Sequence, residues 1–222
     1  PRYFQLRGVG ETDQWQGAPN PSVGFVLDDI DFSGIGMVGN LFDLGQAEVL
    51  RGPQGTAYGA NAMAGLIKLS SREPSDEFES RVEASAGDFD TRSLAAVLGG
   101  ALDAQGAWAG RLAAQRFRSD GFRRNAYLGR TDTNGYDETM ARGRLRWNAS
   151  ANLRALLTTM WVNLDDGYDA FSLDNTRVTQ SDKPGRDAQR SRAAALRLDY
   201  DGNDAFSLSS ATAAANSRIR YS

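Results

Sequence analysis

Long segments in which apolar and charged side chains alternate constrain the fold of this 222-residue chain most. From residue 79 onward the alternation has a period of two, which is typical of β-strands with two different faces. Ordinary globular strands average about 5–6 residues, whereas a tilted strand that crosses a bilayer needs about 9–11. We predict seven antiparallel strands near that second length, at residues 79–87, 92–102, 107–118, 138–148, 153–164, 190–200 and 205–215.

The charged face of these segments limits what it can contact. In 138–148, Arg142, Arg144 and Arg146 share one face, and small, aliphatic and aromatic residues share the other. A face of arginines cannot enter a dry core cheaply, so it faces water or the wet interior of a wide barrel. Trp147, at the end of its apolar face, is typical of the aromatic girdle of a membrane barrel.

The connections between the predicted strands alternate in length. The short connections lie at 103–106, 149–152 and 201–204. The long ones lie at 119–137 and 166–189, on the same side of the sheet as the short 88–91. Outer-membrane barrels have short periplasmic turns and long outer loops, and a soluble antiparallel meander is the alternative. Because 92–102 and 107–118 alternate poorly, their registers stay open.

Composition excludes several kinds of active site. The chain has no Cys and no His, so we expect no thiolate or imidazole metal site and no catalytic residues of the Ser-His-Asp or Cys-His type. We expect no cofactor. The formal charge of −3 does not favour nucleic acid as a partner. No run of 18 apolar residues predicts a transmembrane helix.

The first third of the chain differs in charge and texture. Residues 1–78 hold 5 basic and 10 acidic residues, whereas residues 79–222 hold 20 and 18. Glycine clusters separate short apolar runs, which favours short strands and tight turns. One cluster, GIGMVG at 34–39, fits a dinucleotide-binding motif, but Gly45 and Pro53 leave too little room for the helix that motif needs. Because no export signal is visible, we expect an internal fragment of a longer protein.

A motif after these turns resembles a known family. Residues 48–74, EVLRGPQGTAYGANAMAGLIKLSSREP, resemble the plug domain of TonB-dependent outer-membrane receptors, and LRGVG, PSVGFVLDD and LFDL upstream follow the family's order. The matching positions are Glu48, Val49, Leu50, Arg51, Gly52, Pro53, Gln54, Gly55, Tyr58, Gly59, Asn61, Ala62, Gly65 and Pro74. The chain departs from the family pattern at Gly45, Gln46, Ala60, Ala64 and Lys68. These departures weaken assignment to a subfamily but not to the family.

The resemblance implies a mainly β chain. Residues 1–76 would form the C-terminal part of a mixed α/β plug domain, and residues 77–222 about the first seven strands of an antiparallel transmembrane β-barrel, which would be incomplete. The implied function is TonB-dependent active transport of a scarce solute, most often a ferric siderophore, across the outer membrane of a Gram-negative bacterium. The protein would then not be an enzyme. Its partners would be the inner-membrane TonB complex, outer-membrane lipid and the small-molecule ligand.

Other interpretations stay open. The same family imports cobalamin, glycans and other nutrients. A passive pore, or a structural or adhesive barrel, would also fit the strand pattern, although the plug motif argues against it. A soluble all-β binding protein or enzyme is the third possibility.

The resemblance also implies candidate site residues, and for each of them simple packing or a solvated charge is the alternative interpretation. The candidates for ligand binding are Arg7, Trp15, Ser33, Phe42, Tyr127, Tyr136 and Tyr168. The candidates for contacts between plug and barrel wall are Glu48 and Arg51, because an acidic blocking domain complements an arginine-lined interior. We expect no metal ligands.

Overall fold

The computed structural model describes residues 4–10, 21–35, 42–58, 61–203 and 206–222. Strands dominate these residues, and they form two large sheets. The N-terminal elements are β1 (Gln5–Leu6), β2 (Val9–Gly10), β3 (Val23–Leu27), β4 (Ile30–Asp31), β5 (Leu44–Arg51), α1 (Gly55–Tyr58) and β6 (Gly65–Ser71). The later elements are β7 (Glu79–Gly87), β8 (Thr91–Ala101), β9 (Trp108–Ser119), β10 (Arg124–Asn125), β11 (Tyr136–Asn148), β12 (Leu153–Tyr168), β13 (Val178–Thr179), β14 (Gly185–Asn203) and β15 (Phe206–Tyr221).

Four short strands form what we call the N-terminal sheet, in the order β4-β3-β6-β5. The pairing of β3 with β6 is parallel and the other two pairings are antiparallel. All five residues of β3 are buried, as expected for an apolar strand covered on both faces. Asp28 and Asp29 have positive φ in the tight turn before β4, a conformation that Asp tolerates better than most residues.

The predicted seven strands form one antiparallel sheet, in the order β15-β14-β12-β11-β9-β8-β7. Number and order are therefore confirmed. The sheet also fixes the registers that the sequence left open, because Ala96 pairs with Ala114 and Ala114 with Ala141. The last three strands run beyond the predicted bounds. Their ladders continue through polar pairs such as Arg186 and Asp165, whose side-chain atoms lie 2.5 Å apart.

The two faces of this seven-stranded sheet differ as the alternation predicts. Its inner face turns Arg111, the β11 arginines at 142, 144 and 146, and a few apolar residues toward the N-terminal sheet. Its outer face carries exposed leucines, and further arginines at the end with the long loops. A shared hydrophobic cluster joins the sheets. Its buried members are Phe25, Leu27, Ile30, Phe32 and Leu69 from the N-terminal sheet and its turns, and Met140, Met160, Val162, Leu164, Ala193 and Ala195 from the other sheet.

The mainly β class is confirmed, but the mixed α/β character is not. Within the described ranges the helix content is α1, which is four residues long. Helix nucleation is unfavourable and is offset only when further turns are added. The segment between the glycines at 52 and 65 holds a single helical turn, so it contributes little helix.

None of the helices in the described part of the chain is long and apolar enough to cross a membrane.

Candidate functional site

The two sheets meet at a buried ion pair between Asp43 and Arg111. The Asp43 carboxylate accepts hydrogen bonds from Arg111 Nε at 2.8 Å and Nη2 at 2.5 Å. The third guanidinium nitrogen, Nη1, donates to Glu79 at 2.8 Å. The side chains of Arg111 and Asp43 are 3 % and 1 % exposed. A bidentate arginine–carboxylate pair has strong geometry, and losing one partner leaves a buried charge.

A second buried carboxylate, Asp28, ties the turn after β3 to the end of β6. It accepts the backbone N–H of Ser71 at 2.7 Å and the hydroxyl of the same serine. Arg142 Nε lies 4.0 Å from Asp28 Oδ2, and Arg197 Nη1 lies 3.5 Å from Asp29. The negative residues of this turn therefore face arginines of the seven-stranded sheet, which we call the wide sheet.

The arginine row of β11 binds the main chain of the N-terminal part. Its three members donate to backbone carbonyls of the segments before β5 and after β6. Arg142 donates to Phe42 O (3.0 Å) and Asp43 O (3.1 Å), Arg144 to Ser71 O (2.8 Å) and Arg72 O (3.1 Å), and Arg146 to Pro74 O (3.1 Å). Because guanidinium groups carry several donors in fixed directions, one side chain can bond two carbonyls at once.

The structure thus confirms that the predicted arginine face points inward. Glu48 lies opposite Lys68 in the β5–β6 pairing, and Arg51 is exposed at the end of β5. Their role as contacts between plug and wall stays a prediction. Sequence reasoning missed Asp43 and Arg111 as partners. The available signal was weak, since Arg111 sits in a segment whose register was open.

Two of the predicted ligand contacts in the N-terminal part have their groups engaged locally. The Ser33 hydroxyl accepts the N–H of Phe25 at 2.9 Å, and the N–H of Ser33 donates to Asp31 at 2.8 Å. The Phe42 ring packs under the Arg81 guanidinium, 5.0 Å from its centroid. Ser33 therefore holds a turn, and Phe42 belongs to the interface between the sheets.

The other two ligand candidates in the N-terminal part are Arg7 and Trp15. Arg7 is exposed in the β1–β2 turn, with φ of 54°. Trp15 falls outside the described residues. Both therefore stay predictions.

At the far end of the wide sheet, the two long loops, residues 120–135 and 169–184, lock together around Asp169. This buried carboxylate accepts three hydrogen bonds through Oδ2, from Asn125 Nδ2 (2.8 Å), Thr133 Oγ1 (2.8 Å) and Thr179 Oγ1 (2.6 Å). Asn125 and Thr179 are fully buried. A buried carboxylate is tolerated when its oxygens are bonded in this way.

Main-chain contacts extend the same lock. Strands β10 and β13 pair in parallel, and the N–H of Ala126 donates to Thr179 O at 2.9 Å. Gly167 passes so close to the first loop that a Cβ there would lie 2.3 Å from Thr133 O. The two loops therefore form one folded unit, which we call the loop unit.

The predicted loop aromatics lie on this unit or at its base. Tyr127 is 66 % exposed. Tyr136 packs near Phe117 with ring centroids 6.2 Å apart, and Tyr168 meets Phe171 edge-on at 6.1 Å. An exposed ring on a fixed loop offers contact area to a ligand at little entropic cost, so Tyr127 is the best placed of the three.

Two loop carboxylates are held ionised. The hydrogen bond from Arg130 lowers the pKa of Asp132, despite partial burial. Hydrogen bonds from the Thr176 side chain and backbone lower the pKa of Asp174. Both groups therefore stay negative at pH values at which a free aspartate begins to bind a proton.

Comparison with known proteins supports the receptor resemblance. No model of a protein family matches the chain. The pesticin receptor of Yersinia enterocolitica is 28 % identical over 143 residues, covering 64 % of this chain and 21 % of that protein. Among solved structures, the ferric yersiniabactin uptake receptor of Yersinia pestis superposes with a TM-score of 0.81 at 20 % identity, covering 90 % of this chain and 32 % of that one.

A third similar protein is the ferripyoverdine receptor of the Pseudomonas aeruginosa outer membrane, solved with ferripyoverdine bound. Its TM-score is 0.65 at 19 % identity, covering 81 % of this chain and 26 % of that one. The resemblance inferred from residues 48–74 is confirmed, because the chain has the fold of part of these receptors. The chain spans about a fifth of the length of its curated relative.

Proposed function

We propose that this chain is part of a TonB-dependent receptor that imports a scarce solute, most often a ferric siderophore, across the outer membrane of a Gram-negative bacterium. Residues 1–76 would be the C-terminal part of the plug, and residues 77–222 the first seven strands of the barrel. The observation that carries the proposal is the direction of the wide sheet: Arg111 and the arginines of β11 bind the N-terminal sheet and its flanking segments, and a band of exposed leucines faces away from it.

A water-soluble protein would orient such a sheet the other way. Leu94, Leu98, Leu112 and Leu208 are each more than half exposed on the outer face, although other leucines of the chain are buried. Soluble monomers rarely expose continuous apolar patches of this kind. Lipid covers such a face without penalty, provided that every backbone group in it is bonded within the sheet.

Aromatic side chains support the same placement. Trp108 and Trp147 stack with centroids 5.1 Å apart, and Tyr200 lies 6.0 Å from Phe206. All four lie at the end of the sheet with the short connections. A membrane barrel carries such a girdle where hydrocarbon gives way to head groups. The short connections would then be periplasmic and the loop unit would face the outside.

The solute class follows from the similar proteins. One of them is an uptake receptor for ferric yersiniabactin and another was solved with ferripyoverdine. In this chain we propose that ligand binds between the loop unit and the apex of the N-terminal part, with the seven ligand candidates named from sequence as its contacts. Iron would be cargo within its chelator, and the chain would act as a transporter and not as an enzyme. Cobalamin and glycans are the alternative cargoes.

Energy coupling and partners are proposed on the same basis. The inner-membrane TonB complex would pull on a segment outside this chain and rearrange the plug. The ion pairs and carbonyl contacts between the sheets, centred on Arg111 and the β11 arginines, would then have to break or shift during transport.

The test uses the full receptor in a deletion strain. Radiolabelled ferric chelates are offered singly, and both binding and uptake are measured with and without a protonophore. We expect saturable binding both with and without the protonophore. Uptake should stop when the protonophore removes the proton gradient. Equal growth of the deletion and complemented strains on every ferric chelate would remove the iron assignment. Solute entry that ignores the protonophore would indicate a passive pore.

Heat-modifiable migration in detergent tests the barrel itself. We expect the unheated receptor to migrate faster than the heated one, because a closed barrel resists detergent unfolding. A receptor that is monomeric in buffer without detergent would contradict the membrane placement.

A further inference from the structure

Arginines crowd the outer face of the wide sheet where its apolar band ends. They lie at the end with the long loops, on the same face as the exposed leucines. The members of this outer arginine belt are Arg92, Arg116, Arg118, Arg186, Arg190, Arg192, Arg218 and Arg220. The apolar band ends one cross-strand row earlier on β14 than on β9, which is the oblique boundary expected of tilted strands.

The belt holds more positive than negative charge. Among the described residues, the aspartates in ion pairs with the belt are Asp90, Asp137 and Asp165, against eight arginines. Asp137 alone serves two arginines, with its carboxylate 2.5 Å from Arg116 Nη2 and 3.2 Å from Arg118 Nη2. Both guanidinium groups stay substantially exposed, at 44 % and 65 % of their side-chain surface.

An apolar groove lies directly below Arg116 on the same face. Its volume is about 680 Å³. Among the residues lining it are Val82, Ala96, Leu112, Ala114, Ala141 and Trp161. Ala114 precedes Arg116 by two residues on one strand, so the top of the groove opens at the belt.

We propose that this surface binds a membrane lipid with a phosphorylated head group, its phosphate on Arg92, Arg116 and Arg118 and an acyl chain along the groove. The proposal rests on the proposed function, since it needs the outer face to be in lipid. Guanidinium groups match phosphate oxygens in pairs, and an arginine at the edge of the hydrocarbon costs far less than one at its centre.

The choice of lipid over other ligands follows from the combination of features. A soluble anion would use the arginines and ignore the groove, and a neutral lipid would use the groove and ignore the arginines. The belt also continues over several strands, which suits the several phosphates of neighbouring head groups in one leaflet.

The test is native mass spectrometry of the full receptor in detergent. The probes are bisphosphorylated lipid A, the same lipid after enzymatic removal of its phosphates, and inorganic phosphate. We compare wild type with the double variant R116Q/R118Q, the groove variant A114F and the control R130Q, which alters an exposed loop arginine with its own aspartate partner, Asp132.

We expect R116Q/R118Q to bind the bisphosphorylated lipid at least about tenfold more weakly, A114F to bind it more weakly, and R130Q to match wild type. Dephosphorylated lipid should bind wild type no better than intact lipid binds R116Q/R118Q. Equal binding of the two lipids, or equal loss in R130Q, would overturn the proposal. So would full competition by inorganic phosphate together with unchanged binding in A114F, which would indicate a free-anion site.

A second readout separates this proposal from the receptor function. Ferric chelate uptake by R116Q/R118Q should equal that of wild type. If the wild-type receptor lacks heat-modifiable migration, the membrane placement and the lipid site both fall. If it migrates as a barrel and transports its solute but shows no preference for phosphorylated lipid, the lipid site alone is refuted.

Discussion

Replacement of Arg111 by alanine should loosen the N-terminal sheet from the wide sheet. The change removes both hydrogen bonds to Asp43 and leaves that carboxylate buried, at 1 % exposure, without its main cation. Arg81, whose Nη2 lies 3.9 Å away, is too distant to replace a bidentate partner. Removing one partner of a buried pair costs about 3–5 kcal/mol, so we expect local opening to become easier by at least about 3 kcal/mol.

Hydrogen exchange of the full receptor in detergent measures this. The amide of Arg72 is a suitable reporter, because it donates to Asp43 O at 3.2 Å. A loss of about 3 kcal/mol corresponds to roughly a hundredfold faster exchange when opening is at equilibrium. The matched control is R154A, which breaks the Arg154–Glu73 pair. That pair is largely exposed, so its loss should cost less than about 1 kcal/mol.

The double variant D43L/R111L sharpens the result. Because it removes both charges, its exchange should be closer to wild type than that of R111A. Equal exchange in R111A and R154A would refute the argument that burial of the pair governs the contact. If the effects of D43L and R111L, measured singly, add up to that of D43L/R111L, the argument is refuted as well, since a direct pair requires a coupling energy between the two residues.

Three further outcomes are expected. D169A should destabilise the loop unit by about 2–3 kcal/mol, because three buried donors lose their acceptor, and limited trypsin digestion should then cut the long loops faster; unchanged digestion would contradict this. G121A should disturb the same loops, since Gly121 has φ of 76° and a Cβ there would lie 2.3 Å from Asn134 O; an unchanged exchange pattern would count against that reading. W147A should lower the free energy of unfolding in urea by about 1 kcal/mol more than the loss of buried apolar area explains, because the stack with Trp108 disappears. W108A should have the same effect if the stack is the cause.

The alternation of residues 138–148 was sufficient to predict the two faces of the wide sheet. A period of two fixes the face of every residue once one is known, so Arg142, Arg144 and Arg146 had to point the same way. The strand ends were less predictable. Beyond the apolar band the alternation stops, and the extension of β14 to Gly185 depends on polar pairs with β12 that no local pattern reveals.

The partners of the inward arginines were beyond local reasoning. Asp43 and Arg111 lie 68 residues apart, and neither is unusual among its neighbours. The loop unit is a similar case. Asn125 and Asp169 are polar residues in segments that read as solvated loops, yet both are buried because they bond each other. Such residues are recognisable only when the fold brings the two loops together.

The contacts of the β11 arginines with backbone carbonyls leave the N-terminal part unusual freedom to vary. A guanidinium that binds Ser71 O or Arg72 O is indifferent to the side chain at that position, so long as the path of the main chain is kept. Substitutions at these positions can accumulate without loss of the hydrogen bonds to the β11 arginines. Asp43 cannot be replaced in this way, because its side chain itself binds Arg111. Divergent relatives could therefore change most side chains of this surface and still keep the N-terminal part bound to the wide sheet.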